Sequence, residues 1–298
     1  MIFTPELLGQ TLIAGVMIGV LYALMALGIT FIYSIVKMIN WAMGEFYMIG
    51  SYAQYLLIVY WLGPDLWWVA VPLAGLSVFV IGAALEPILI KPMFTGGIER
   101  RDDYATVITI ALLLLLRNLA TGLSGPYQRT PGSNLPTVMV GSLPVSGARA
   151  AAFVCALAAL ALFYLLLKKT WVGLALRAAA QSRVGVQTAG VNVLRLDQAA
   201  FGVGVALAGI AGALLAPVFL VFPTNGIVTT VKGFEIIVIG GLGSLPGALI
   251  AGIMLGVVES LGTAFIASPY QNAYGFALVI LVLLIRPTGL FGEKSREA

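Results

Sequence analysis

Of 298 residues, 60% are hydrophobic and 9% charged, against roughly 25% charged in an ordinary soluble domain; with mean hydropathy of +1.04, lipid must solvate much of this chain. The formal net charge of +4 does not point to nucleic acid, and the lone Cys155 excludes an intrachain disulfide. Histidine is absent, which removes a Ser–His dyad, an H-E-x-x-H zinc site and any histidine base.

Taken in chain order, the first apolar run, Leu7–Val36, is too long for the h-region of about 7–15 residues in a cleavable signal. Thr4-Pro5-Glu6 reads as its helix start: a hydroxyl cap, Pro at the first helical position and an acid near the dipole. A crossing helix needs about 20 mostly apolar residues. Further stretches of this kind lie near Glu45–Leu62, Trp67–Ile90, Ala105–Leu123, Ala150–Leu167 and Gln198–Phe222. A short segment near Val231–Leu242, suited to a half-helix or re-entrant piece, precedes spans near Pro246–Ile266 and Asn272–Ile285. The expected fold class is all-α: a polytopic helical membrane protein with eight or nine membrane segments, some of them discontinuous.

Alternating these spans places Lys37, Lys91, Arg100, Arg101, Lys168, Lys169, Arg177, Arg183, Arg195, Arg286, Lys294 and Arg296 on one face. Arg129, Arg149 and Lys232 fall opposite, and Arg117 lies within a span. The positive-inside rule makes the basic face cytoplasmic, with the C-terminus inside, Ser124–Ala148 an outer loop, and Trp61, Trp67 and Trp68 interfacial aromatics at the outer surface.

The longest inner connection, Lys168–Asp197, contains the Ala-rich, proline-free stretch Gly173–Gly190, which reads as helical. Arg177 and Gln181 lie one turn apart on it and face the same way. Such a helix serves either as a solvated connection or as a docking element for a soluble partner.

Two glycine-broken stretches interrupt the apolar pattern: Asn40-Trp41-Ala42-Met43-Gly44-Glu45-Phe46, leading to Gly50, and Gly240-Gly241-Leu242-Gly243-Ser244-Leu245-Pro246-Gly247. Paired breaks in two halves of a chain point to a transport pathway, because backbone freed at membrane depth must line a cavity or be buried. A tight turn between spans is the competing reading. Asn40, Gly44, Glu45, Gly50, Gly240, Gly241, Gly243 and Ser244 are the resulting candidate pathway residues. Glu86, Arg117, Glu235 and Glu259 are further ionisable groups at or near membrane depth, with Glu86 near the inner interface and Arg117 either snorkelling outward or pairing inward with an acid that the sequence does not name. Gly15/Gly19, Gly243/Gly247, Gly252/Gly256 and Gly204/Ala208/Gly212 have the four-residue spacing of closely packed helices. No G-x-x-x-x-G-K-[ST] phosphate loop occurs, and no catalytic constellation can be assembled. What remains is a pore that borrows its energy.

The stretches LYALMALGITFIYSIVKMINWAMGEFYMIGSY (Leu21–Tyr52), RAAAQSRVGVQTAGVNVLRLDQAAFGVGVALAGIAGALLAP (Arg177–Pro217), GFEIIVIGGLGSLPGALIAGIMLGVVESL (Gly233–Leu261) and RPTGLFG (Arg286–Gly292) resemble the LivH-type permeases of branched-chain amino acid ABC importers. The resemblance implies one transmembrane permease domain over residues 1–298, in a bacterial cytoplasmic (inner) membrane. It also implies a homologous second permease, two ATPase subunits that bind ATP and Mg, and an extracytoplasmic solute-binding protein. No cofactor or metal is expected on this chain. By this resemblance Gly173–Gly190 is the ATPase-docking region, with Arg177, Gln181, Arg183 and Gly190 in it. Two departures stand out. Trp41-Ala42-Met43-Gly44 replaces the family's common Phe-Ala-His-Gly, and Arg177-Ala178-Ala179 lacks the acid of a Glu-Ala-Ala signature. Branched-chain or other hydrophobic amino acids are the implied substrates; urea or a short amide carried by a related permease, or a self-sufficient facilitator or ion-coupled carrier, are the alternatives.

Overall fold

The computed structural model describes residues 5–132, 134–140 and 143–292. Thr4 of the expected helix start, and Lys294 and Arg296 of the basic face, lie outside the described residues. The helices are α1 (Pro5–Val36), α2 (Met43–Leu57), α3 (Trp67–Leu89), α4 (Pro92–Thr95), α5 (Arg101–Ser124), α6 (Gly147–Lys169), α7 (Trp171–Gln181), α8 (Arg183–Thr188), α9 (Val193–Leu215), α10 (Asn225–Gly240), α11 (Leu245–Phe265) and α12 (Gln271–Ile285). A π-helical turn, Ile58–Leu62, prolongs α2. Each stretch expected to enter the membrane coincides with a helix. Seven helical stretches among the described residues are long and apolar enough to cross a bilayer; α2 and α10 are the shorter members.

The chain is a polytopic helical membrane protein, and the character of each helix follows from its apolar pattern. A helix that is hydrophobic all round must be surrounded. In α1 every residue from Ala23 to Ile32 is buried, against α6, α9, α10 and α11. By contrast α5, α6 and α12 turn Leu114, Leu123, Leu162, Leu165, Ile280 and Leu284 outward, as a lipid-facing layer does.

Small residues let the inner helices touch along their backbones. A Cβ on Gly15 would stand 2.8 Å from the Val257 Cα, and one on Gly19 2.7 Å from the Ile253 Cα, so α1 and α11 are in direct contact. Gly28 of α1 and Gly204 of α9 meet in the same way.

The charges segregate as the spans require. Arg183 reaches the Ile35 carbonyl at 3.2 Å and lies over the Phe94 ring, while Lys37 and Arg177 line one recess. This end of the bundle is the basic end. Arg129 pairs with Val221 through two backbone hydrogen bonds of 2.8 Å, at the far end.

Four details differ from the sequence reading. The expected span Gln198–Phe222 is helical only to Leu215, and residues 216–224 leave the helix. Helix α10 begins at Asn225 rather than near Val231. Gly173–Gly190 is two helices, α7 and α8, because Ser182 breaks the first and caps the second, its Oγ accepting from the Gly185 N–H at 3.1 Å. The outer loop holds a two-stranded antiparallel hairpin, β1 (Val138–Val140) and β2 (Leu143–Val145), with Val138 opposite Val145.

Gly19→Leu is expected to destabilise the protein by about 1–3 kcal/mol or more, since the helices cannot part to admit the side chain. Leu114→Ala on the lipid-facing side of α5 should change little. Thermal unfolding in detergent compares them.

Candidate functional site

The centre of the bundle is a junction between two helix N-termini. Val36, the end of α1, lies eight residues beyond Gly28, about 12 Å along the axis. A Cβ on Gly28 would nevertheless stand 2.7 Å from the Met43 Cε. The chain therefore turns back after Lys37 (φ 58°), runs into the interior through residues 38–42, and starts α2 there. Residues 216–224 do the same from the far end, and α10 starts against α2. The Gly44 N–H donates to Thr230 Oγ1 at 3.1 Å, and a Cβ on Gly226 would stand 2.7 Å from the Gly44 carbonyl oxygen. Only glycine at both positions allows this approach.

Polar side chains hold the junction. Asn40 Oδ1 accepts from the Ala42 N–H at 3.0 Å, fixing the inward turn. Asn225 Nδ2 donates to Ser51 Oγ at 3.3 Å. Gly50 lies against Gly209 of α9, and Gly212 lies against Tyr47. Each helix N-terminus carries roughly half a positive charge. Glu45 occupies the first turn of α2, with Oε2 close to Gly226 and without a hydrogen-bond partner, so one fully buried carboxylate lies near both ends. Its Oε1 accepts from Arg117 Nη2 at 2.8 Å and Nε at 3.3 Å, which identifies the partner of the arginine in α5.

A cavity of about 510 Å³ adjoins the junction on its far-end side. Its wall is largely apolar (Leu21, Met25, Val218, Phe219, Phe222 and Val228), with Tyr22, Tyr47, Asn225, Thr229, Lys232 and Gln271 supplying the polar groups. Lys232, expected on the outer face, is instead buried and paired with Glu259, with Glu235 Oε2 at 3.8 Å. Gln271 Nε2 donates to Glu259 Oε2 at 3.1 Å. Sequence reading missed this cluster, although Lys232 and Glu235 one turn apart, with Glu259 on the next helix, were visible as charges in apolar runs.

On the basic side a recess of about 710 Å³ is lined by Ser34, Lys37, Arg177, Gln181, Gly243 and Ser244 among others. Arg177 and Gln181 are exposed and share this wall. Arg183 is turned inward to Asp197 of α9, and Gly190, at φ 82°, ends the turn after α8.

The candidate pathway residues thus divide. Asn40, Gly44, Glu45 and Gly50 are in the junction. Gly240, Gly241, Gly243 and Ser244 form the tight turn joining α10 to α11, with Gly241 at φ 97° and Gly243 at φ 84°. Residues 290 and 291 close on this turn, their N–H groups donating to the Ile239 and Gly240 carbonyls. The spatial counterpart of the first break is residues 216–224. Glu86, expected at the interface, is buried, and its Oε1 has no hydrogen-bond partner. Among the described residues no group of three His, Cys, Asp or Glu is placed to hold a metal.

Residues 11–285 match the family model described as the branched-chain amino acid transport system / permease component. The chain belongs to this permease family. It is 31% identical to the high-affinity branched-chain amino acid transport system permease protein LivH of Escherichia coli, over 97% of this chain and 96% of that one. With the corresponding protein BraD of Pseudomonas aeruginosa the identity is 32%, over 97% of each chain. The permease protein LivM of Escherichia coli is 26% identical over 91% of this chain and 67% of its own length. No solved structure matches the chain significantly. The relatives are transport permeases, in keeping with a multi-pass membrane protein.

Breaking the buried Glu45–Arg117 pair from one side leaves a charge uncompensated. Arg117→Ala is expected to cost about 3–5 kcal/mol, and the joint change Glu45→Gln/Arg117→Met to recover most of that. Unfolding half-lives in detergent measure both.

Proposed function

We propose that this chain is a transmembrane permease subunit of an ABC importer. With a second, homologous permease it forms the pathway for branched-chain or other hydrophobic amino acids. The observation that carries this reading is the match to LivH and BraD along almost the entire chain. The similarity to LivM suits a paralogue as the second permease. In this reading the whole chain acts as one permease domain in the bacterial cytoplasmic membrane, with the basic end and the C-terminus in the cytoplasm. A solute-binding protein delivers substrate at the far end. ATP and Mg are bound by two partner ATPases, and this chain binds no cofactor.

The geometry supports a route for the driving force. The exposed residues Arg177 and Gln181 offer a contact to an ATPase on α7. The neighbouring α8 is tied to α9 by Arg183–Asp197 and to α1 by the Ile35 carbonyl. Helix α9 grips α2 at Gly209–Gly50 and Gly212–Tyr47. Displacement at the basic end is thereby passed to the junction beside the cavity. The junction separates the far-end cavity from the basic-end recess, so its rearrangement is the step that opens one and closes the other.

Two outcomes test this. The chain alone in vesicles is expected to move no leucine, whereas the complete complex takes it up with ATP. Uptake by the single subunit without ATP contradicts the reading and favours a self-sufficient carrier. Arg177→Glu/Gln181→Glu should insert normally while uncoupling uptake from ATP hydrolysis; unchanged uptake contradicts the docking role.

A further inference from the structure

The geometry points to Lys232, Glu259 and Gln271, with Glu235 backing Lys232, as the binding site for the zwitterionic head group of an α-amino acid in transit, a conclusion that rests on the permease reading above. The four side chains come from α10, α11 and α12 and converge at one place. Lys232 and Gln271 reach the wall of the 510 Å³ cavity, a volume within the usual range of about 300–1,000 Å³ for small-molecule sites. Glu259 and Gln271 also line a neighbouring recess of about 350 Å³, so the cluster is the partition between the two.

Such a cluster is expensive unless it has a task. Charged groups at membrane depth are costly, and a buried ion pair gives little net stability over an apolar replacement. Here there are two carboxylates for one ammonium. Neither oxygen of Glu235 accepts a hydrogen bond, although the residue is buried. It is wedged against Gly275 of α12, where no larger residue would fit beside the carboxylate.

A free amino acid carries its ammonium and carboxylate on one carbon, and both must find partners when they leave water. The cluster presents the complementary order. Lys232 offers donors to the carboxylate, and Glu259, which lines the neighbouring recess, offers acceptors to the ammonium, with Glu235 behind Lys232 at 3.8 Å. The zwitterion enters the existing pair without changing its net charge. The wall formed by Leu21, Met25, Phe219, Phe222 and Val228 then receives an aliphatic side chain. A solute lacking either charge leaves one member of the pair unmatched, and this is a source of discrimination.

The test uses the complete importer in vesicles, with leucine supplied through its binding protein. The triple variant Lys232→Met/Glu235→Gln/Glu259→Gln removes all charge at once, so no ion is left unpaired, and a purely structural cluster tolerates it. Uptake is expected to fall about tenfold or more, the scale of losing hydrogen bonds to charged groups, while the subunits still co-purify. Wild-type uptake by the triple variant overturns the proposal. A second measurement does not depend on how well the triple variant assembles. In a Cys155→Ala background, Val228→Cys should react with a thiol reagent applied from outside, and leucine should slow that reaction. Absence of protection by leucine overturns the proposal. If the unmutated complex takes up no leucine, it is the permease reading that fails.

Discussion

Two helix N-termini pressed together inside an apolar bundle set the terms for the rest of this molecule. Their partial positive charges repel, their free N–H groups lack intrahelical partners, and lipid can satisfy neither need. The sequence answers with Gly44 and Gly226, which let the backbones touch, and with Thr230, which accepts from the Gly44 N–H. It places Glu45 between the ends and Arg117 behind Glu45. The buried Ala23–Ile32 stretch of α1 and the glycine-lined α9 are the surfaces on which this junction rests.

The same arrangement explains where solvent-accessible space can exist. Helix α2 runs from the interior to the far end and α10 from the interior to the basic end. The lead-in to each is irregular chain: Met38, Asn40 and Ala42 of the first are buried in the core, whereas Val218, Phe219 and Phe222 of the second line a cavity. Irregular backbone at membrane depth is tolerated where it is buried in protein or lines a cavity, and the two lead-ins use both. The far-end cavity is thus bounded by Val218, Phe219 and Phe222 from one lead-in, and the basic-end recess by Lys37 from the other.

Hydropathy made the spans legible because lipid imposes it residue by residue. It could not separate helix from irregular chain in residues 216–224, where Pro217, Val218, Phe219, Leu220, Val221 and Phe222 are as apolar as the helix they follow. The inward turn at Asn40 was visible through its glycines and acid. Its spatial counterpart was not, since Gly240–Gly247 carries the stronger glycine signal and serves a tight turn. Glu45 and Arg117 were each noticed as costly charges, yet they are 72 residues apart in the chain, and their pairing is a tertiary fact. Lys232 was read as an outer-face charge because its helix begins six residues earlier than the hydropathy suggested. In Gly173–Gly190, Ser182 followed by Gly185 is the available sign that one helix becomes two.

The most direct measurement of the junction is a disulfide between positions 51 and 225, where Ser51 and Asn225 side chains meet at 3.3 Å across α2 and α10. With Cys155 replaced by Ala, Ser51→Cys and Asn225→Cys together should cross-link on mild oxidation in the membrane, because the two side chains face each other beside the backbone contact at Gly44 and Gly226. Reduced thiols that persist under oxidation would mean that α10 does not begin against α2, and the account of a shared helix junction would be wrong.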